Sequence, residues 1–330
     1  MTPLPAAGRA ARLAAARAAM AAAGVDALVL RPSPDFRFLG GRDGAGYLVV
    51  TGDAAVETGD PAALVPPGAR RVGVDPEMRV RELFGMAIAA ELVPASAVLA
   101  PLRLRKEPPE VAAVERAALR AEEVLRQARE LAWFGASERA MAGRLRLLAL
   151  ESGCEEVLAL RVAAGEHTAR PEHRPGDRVI NPGDALLVSV CGRWGGWCAE
   201  VARVFAVAEP PEDYEAMYTV VLAAHRAALA AARPPAPARA VAAAAAEVID
   251  ASGYGRFAAA HAGRGVGLGP EEGPWLGEDT PLAPGMTFCL EPAIYVADLF
   301  GARVADVVAC TQDGPLVLTG GPPPLHVLER

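Results

Sequence analysis

DALLVSVCGRWGGWCAEVARVFAV, Asp184 to Val207, decides how the rest of the chain is read. Two runs of alternating character flank Gly195-Gly196, and a Gly-Gly pair between such runs marks a two-residue hairpin, because glycine accepts positive φ without cost. Alternate residues of a strand share a face, so Ser189 goes with Cys191, and Cys198 with Glu200. The hairpin therefore carries a serine and a carboxylate eleven residues apart, each with a thiol on its own face.

Upstream, the pattern predicts a long helix over Glu110–Trp133, a second helix starting at the N-cap Ser137, and a strand at Arg161–Gly165. Downstream, helices are expected at Pro211–Ala232 and Pro237–Ser252, split by the breaker RPPAP, then strands at Met286–Val296, Ala302–Thr311 and Pro315–Thr319. The order of a helix pair followed by strands occurs twice, over 110–207 and 211–319, which suggests an internal repeat. Towards the N-terminus lies a separate α/β pattern. It has a helix over Arg9–Ala23 closed by Gly24, strands at Val25–Leu30, Gly46–Gly52 and Arg70–Asp75, a turn at Arg31–Pro34, and a strand plus turn at Glu91–Leu99. The charged, proline-bearing segment LRLRKEPPE (Leu102–Glu110) separates the two patterns, giving expected domains of 1–103 and 104–330.

Composition narrows the function. A net charge of −7 argues against a nucleic-acid surface. Lys106 is the single lysine among 33 basic residues, so arginine- and alanine-rich runs reflect compositional bias. No uninterrupted apolar stretch of about 18 residues or more occurs, so no membrane span is expected. Arginines interrupt the N-terminal stretch MTPLPAAGRAARLAAARAAM, which lacks the apolar core of a secretion signal, although it weakly resembles a transit peptide. Five cysteines without a CxxC pair fit a reduced, cytoplasmic protein.

Six segments in the same order resemble the creatinase/X-Pro aminopeptidase/prolidase family. LRLRKEPPEVAAVERAALRAEEVL and WFGASERAMAGRL resemble the family's first two helices after the domain boundary. GEHTARPEHRPGDRVINPGDALLVSVCGRWGGWCAEVARVF resembles its ligand hairpin, and HAGRGVGLGPEEGPW (His261–Trp275) its histidine loop. LAPGMTFCLEPAIYV and ARVADVV resemble its last two ligand strands. The resemblance implies an α/β (α+β) protein with the pita-bread fold, a curved and mostly antiparallel sheet flanked by helices. A shortened creatinase-type N-terminal α/β domain would precede it. It also implies pairing of two copies as a homodimer.

Active members of that family hold two divalent metals with Asp, Asp, His, Glu and Glu. The corresponding positions here are Ser189, Glu200, Arg264, Glu291 and Ala305, with Asp306 beside the last. Two divalent ions bring four positive charges; Glu200 and Glu291 supply only two negative ones, and Arg264 adds a positive charge. A guanidinium cannot be a ligand, but its planar fork suits carboxylates. The expectation is a degenerate site without metal or other cofactor, in which Arg264 pairs with Glu291, Glu200 or both. In the alternative, Arg264 turns to solvent and the site is empty.

The surrounding positions differ as well. The histidine that the family places after the proline of its RPH-type turn falls at Glu172, with His173 one step along. A second substrate-facing histidine falls at Glu271, and His261 lies one residue from another. Creatinase works without metal but uses a histidine at the Glu172 slot, so that chemistry does not match either. Candidate catalytic groups are Glu291, Glu200, Arg264 and His173. Ser189, Glu172, Glu271 and Trp197 join the first three as candidate pocket residues. Cys191, Cys198 and Cys289 are read either as lining the chamber, one of them a possible nucleophile, or as small apolar fillers. Gly263-x-Gly265-x-Gly267-x-Gly269 is not a dinucleotide fingerprint, since Leu268 stands in its last slot. The sequence thus suggests an X-Pro-peptidase-like protein that binds a small amino-acid-like or peptide ligand without peptidase chemistry. A metal-independent hydrolase and a weak X-Pro dipeptidase are the alternatives.

Overall fold

The computed structural model describes residues 6–42, 44 and 46–328. The first five residues of the N-terminal stretch weighed as a leader lie outside them. Two compact units divide the chain between Arg105 and Lys106.

In the first unit, α1 (Ala6–Ala23) ends at Gly24 and leads into β1 (Ala27–Leu30). After α2 (Pro34–Phe38) come β2 (Tyr47–Thr51), β3 (Ala55–Thr58), β4 (Arg71–Val74), α3 (Val80–Met86), β5 (Glu91–Pro94) and α4 (Ser96–Arg103). The sheet order is β3-β2-β1-β4-β5, with β1, β4 and β5 mutually parallel. Buried on both faces, β1 reads ALVL, an unbroken apolar run. The turn expected at Arg31–Pro34 is in fact the start of α2. Pro34 takes its first position and the Ser33 hydroxyl caps it by accepting from the Phe36 N–H at 3.2 Å.

The second unit opens with α5 (Pro108–Ala128) and α6 (Glu138–Glu151). Pro108 sits at the first helical position of α5, and the Glu110 carboxylate accepts from the Glu107 N–H at 2.8 Å. Ser137 caps α6 through the Ala140 N–H. Three antiparallel strands follow, β6 (Glu156–Ala164), β7 (Ala185–Trp194) and β8 (Trp197–Val207). Gly195 and Gly196 turn the hairpin at φ 57° and 84°, the positive values that a tight two-residue turn demands. Helices α7 (Tyr214–Ala231) and α8 (Ala238–Ala251) precede β9 (Gly263–Gly265), β10 (Glu272–Trp275), β11 (Thr287–Leu290), β12 (Ala293–Val296), β13 (Phe300–Arg303), β14 (Asp306–Thr311), β15 (Gly314–Val317) and β16 (His326–Leu328). The unit holds two larger sheets, β16-β8-β7-β6 and β10-β9-β11-β14-β15, and the ribbon β12-β13. All pairings are antiparallel except β16 with β8. The two larger sheets meet where Ala202 bridges Ala305.

Both strands expected as continuous near the C-terminus are broken. Glu291-Pro292 separates β11 from β12, and Val304-Ala305 separates β13 from β14. Proline has no N–H to give the ladder, which accounts for the first break. The core of the unit packs α5 and α6 onto β7 and β8 through Val114, Leu125, Trp133, Met141, Leu145, Val190 and Phe205. Each large side chain so buried contributes about 1.5–3 kcal/mol.

Candidate functional site

Glycines surround Arg264 because β9 is pressed between two neighbours. Arg264 stands opposite Cys289 of β11 on one side and Trp275 of β10 on the other. A Cβ at Gly263 would run into the Cys289 carbonyl, and one at Gly265 into the backbone of Glu272 and Gly273. The glycine spacing of this loop is therefore a packing requirement of the sheet. Beyond it, the lone lysine is buried: Lys106 Nζ lies 2.7 Å from Glu272 Oε1, and Glu272 Oε2 accepts from the Gly269 N–H.

Arg264 joins an array of four charged groups, and its Nε also lies 3.4 Å from Oε1 of the exposed Glu271. Its Nη2 donates to Glu200 Oε2 at 2.7 Å and its Nη1 to Glu291 Oε1. Arg303, on β13, donates from Nη1 to Glu291 Oε2 at 2.8 Å and from Nη2 to Glu200 Oε1. Each guanidinium spans both carboxylates and each carboxylate receives both guanidiniums. The two positive and two negative charges cancel. Only 7 % and 9 % of the two glutamate side chains is exposed. Burial works to raise the pKa of Glu200, yet Arg303 and Arg264 outweigh it and hold the carboxyl at about 2. Burial and the charge of Glu200 push Glu291 upward, so it is the first of the pair to protonate on acidification. Burial opposes the charge of both arginines, but Glu200 and Glu291 raise their pKa values above the ordinary guanidinium range.

Arg303 was missed by sequence reasoning, though a signal was present. It lies two residues before Ala305, and the period of two in a strand places both on one face. Asp306 does not replace the missing carboxylate at Ala305. It points away, where Arg203 Nη2 is 2.7 Å from Oδ1, His225 Nε2 is 3.0 Å from Oδ2, and Thr319 donates to Oδ1. Ala305 itself is fully buried with Ala202 and Cys289.

A cavity of about 700 Å³ opens beside the array. Glu172, Glu271, Arg264 and Glu291 line it, together with Arg161, Arg303, His261 and Tyr295. Ser189, Glu200, Trp197 and His173 are not among its lining residues. Trp197 packs against the core below the hairpin. His173 turns away because its Nε2 lies 2.8 Å from Glu138 Oε2. His167 Nδ1 lies 2.9 Å from Glu138 Oε1, and the same carboxylate accepts from the Ala164 and Gly176 N–H groups. Glu138, in the first turn of α6, is fully buried and ties down the segment that carries Glu172. Glu138 and the two histidines have the residue types of a metal site, but both carboxylate oxygens are already engaged. The thiols do not line the cavity either. Cys191, Cys198 and Cys289 are buried, and burial raises Cys191 and Cys289 well above an ordinary thiol, which keeps them protonated and inert.

Residues 112–312 match metallopeptidase family M24. A probable dipeptidase PepE of Mycobacterium tuberculosis is 30% identical, covering 96% of this chain and 96% of that one. The chain belongs to family M24. Among solved structures, dipeptidase PepE from Mycobacterium ulcerans superposes on this M24 chain with a TM-score of 0.89 at 28% identity, covering 99% and 100% of the two chains. A recombinant prolidase from Thermococcus sibiricus gives a TM-score of 0.89 at 26% identity over 96% and 98%. The fold of this M24 chain is the pita-bread fold, as the six sequence segments implied.

Proposed function

We propose that the chain is an X-Pro-dipeptidase-like protein that has lost its di-metal site and binds a small amino-acid-like or peptide ligand without hydrolysing it. The observation that carries this reading is the four-membered array. A pair of divalent ions needs free anionic or neutral donors; here Ser189, Arg264 and Ala305 supply no such set, and every oxygen of Glu200 and Glu291 already receives a guanidinium. These residues do not fit two divalent ions. Permanently charged guanidiniums donate hydrogen bonds but neither take up nor release protons near neutral pH, so the array can orient a polar group and cannot generate a nucleophile.

Elemental analysis of protein purified without chelator, with an assay of Ala-Pro hydrolysis in the presence and absence of manganese, tests the proposal. The expected result is substoichiometric metal and no hydrolysis under either condition. Stoichiometric manganese, zinc or cobalt accompanied by release of proline overturns it. We further propose that the protein acts as a cytoplasmic homodimer independent of nucleic acid and membranes. In support, no helix among the described residues is long and apolar enough to cross a membrane.

A further inference from the structure

One row of the sheet bears on the ligand. Arg161 of β6 stands directly opposite Ser189 of β7, Ser189 opposite Ala202 of β8, and Ala202 bridges Ala305. Directly opposed residues share a face. The row that contains two of the missing ligand positions therefore ends in a cation. Arg161 lines the cavity. Its Nη1 is shielded from solvent and has no acceptor, and among the described residues no carboxylate pairs with it. Arg264 and Arg303, by contrast, are neutralised within the array. Removing a charged donor from water without giving it a partner is costly, and the cost disappears when an anion enters. Three acidic side chains, Glu172, Glu271 and Glu278, also line the cavity and are exposed, as at its rim; of these Glu271 also lies 3.4 Å from Arg264 Nε.

We propose that Arg161 is the specificity-determining residue of this pocket and takes the carboxylate of a small zwitterionic ligand of amino-acid or dipeptide size, whose ammonium group faces the acidic rim. The volume suits a molecule of that size. The proposal rests on the ligand-binding reading above and adds to it the group recognised and the residue that recognises it.

Isothermal titration of the full chain with Ala-Pro, Ala-Pro amide and inorganic phosphate provides the test. The parent binds Ala-Pro and binds its amide about tenfold or more weakly, the loss expected when a charge-assisted contact becomes neutral. Arg161→Met binds acid and amide alike, and Arg161→Lys recovers part of the preference. Phosphate competing with Ala-Pro extends the subsite to anions in general; failure to compete confines it to carboxylates. A parent that binds acid and amide equally, or an Arg161→Met variant that keeps the parent's preference, overturns the role of Arg161 and leaves the ligand-binding reading standing. A parent that binds neither dipeptide overturns both. The comparison on the parent needs no variant, so a folding defect in Arg161→Met does not rescue the proposal.

Discussion

Removing one guanidinium from the array should cost about as much as removing a guanidinium and a carboxylate together, because only the double removal leaves the charges balanced. In Arg303→Met, Arg264 alone faces two carboxylates that are less than a tenth exposed, and an uncompensated negative charge remains. In Glu200→Gln, two guanidiniums share one carboxylate. Breaking a buried pair by removing one partner costs about 3–5 kcal/mol. Arg303 is 15 % exposed, so little of this is lost to solvent screening. The double variant keeps the neutral pair Arg264–Glu291 and should lose roughly 3–5 kcal/mol rather than twice that, a coupling of about 3–5 kcal/mol. All four tryptophans, Trp133, Trp194, Trp197 and Trp275, lie in the second unit, so their fluorescence follows the unfolding of that unit without interference from the first. With a urea slope of about 2–3 kcal/mol/M, each single variant should lower the midpoint by roughly 1–2 M. Single losses below about 1 kcal/mol, or a double variant additive within about 0.5 kcal/mol, would refute the array.

Three further outcomes are expected. Asp306 is held at about 2 because His225, Arg203 and Thr319 outweigh the effect of burial, and Glu200 is likewise depressed. Carboxyls depressed in the folded state stabilise above their unfolded pKa and lose that contribution as pH falls, here between about 4 and 2. Asp306 accounts for about 2 kcal/mol of it, and Asp306→Asn should flatten the acid limb of a stability–pH profile. Glu291, pushed upward, works with the opposite sign and partly offsets that limb. Glu138→Gln should loosen the segment after β6, because an amide cannot accept from four donors through two oxygens. A stability loss of about 2–3 kcal/mol and faster tryptic cleavage at the exposed Arg170 and Arg174 would record it; unchanged cleavage would contradict the anchoring role. The combined variant Ser189→Asp, Glu200→Asp, Arg264→His and Ala305→Glu should take up manganese where the parent does not, as read by metal analysis after desalting. Equal uptake by both would show that the donor set does not govern binding.

How much of this was legible depended on the range of the interaction concerned. Hairpin, capped helices and glycine-lined loop follow from spacing of a few residues, since backbone hydrogen bonding and turn geometry are local. The replacement of a histidine position by Arg264, and the absence of carboxylates at Ser189 and Ala305, were likewise readable in line. Charge balance favoured Glu291, Glu200 or both as partners for that guanidinium, with a turn to solvent as the alternative. The structure chose both carboxylates, supplied Arg303 as the second cation, turned Asp306 and His173 away, and buried the thiols. Those outcomes depend on which strands adjoin. The Ala202–Ala305 bridge joins positions 103 residues apart, and the break at Val304-Ala305 lies between Arg303 and Asp306, whose side chains serve separate networks. The sequence by itself determined the fold and which residue types stand at the family's ligand positions, because both reside in residue types and short periods. Which charges neutralise one another, and which arginine is left facing an open cavity, was decided only in the tertiary structure, where segments distant in sequence come within hydrogen-bonding range.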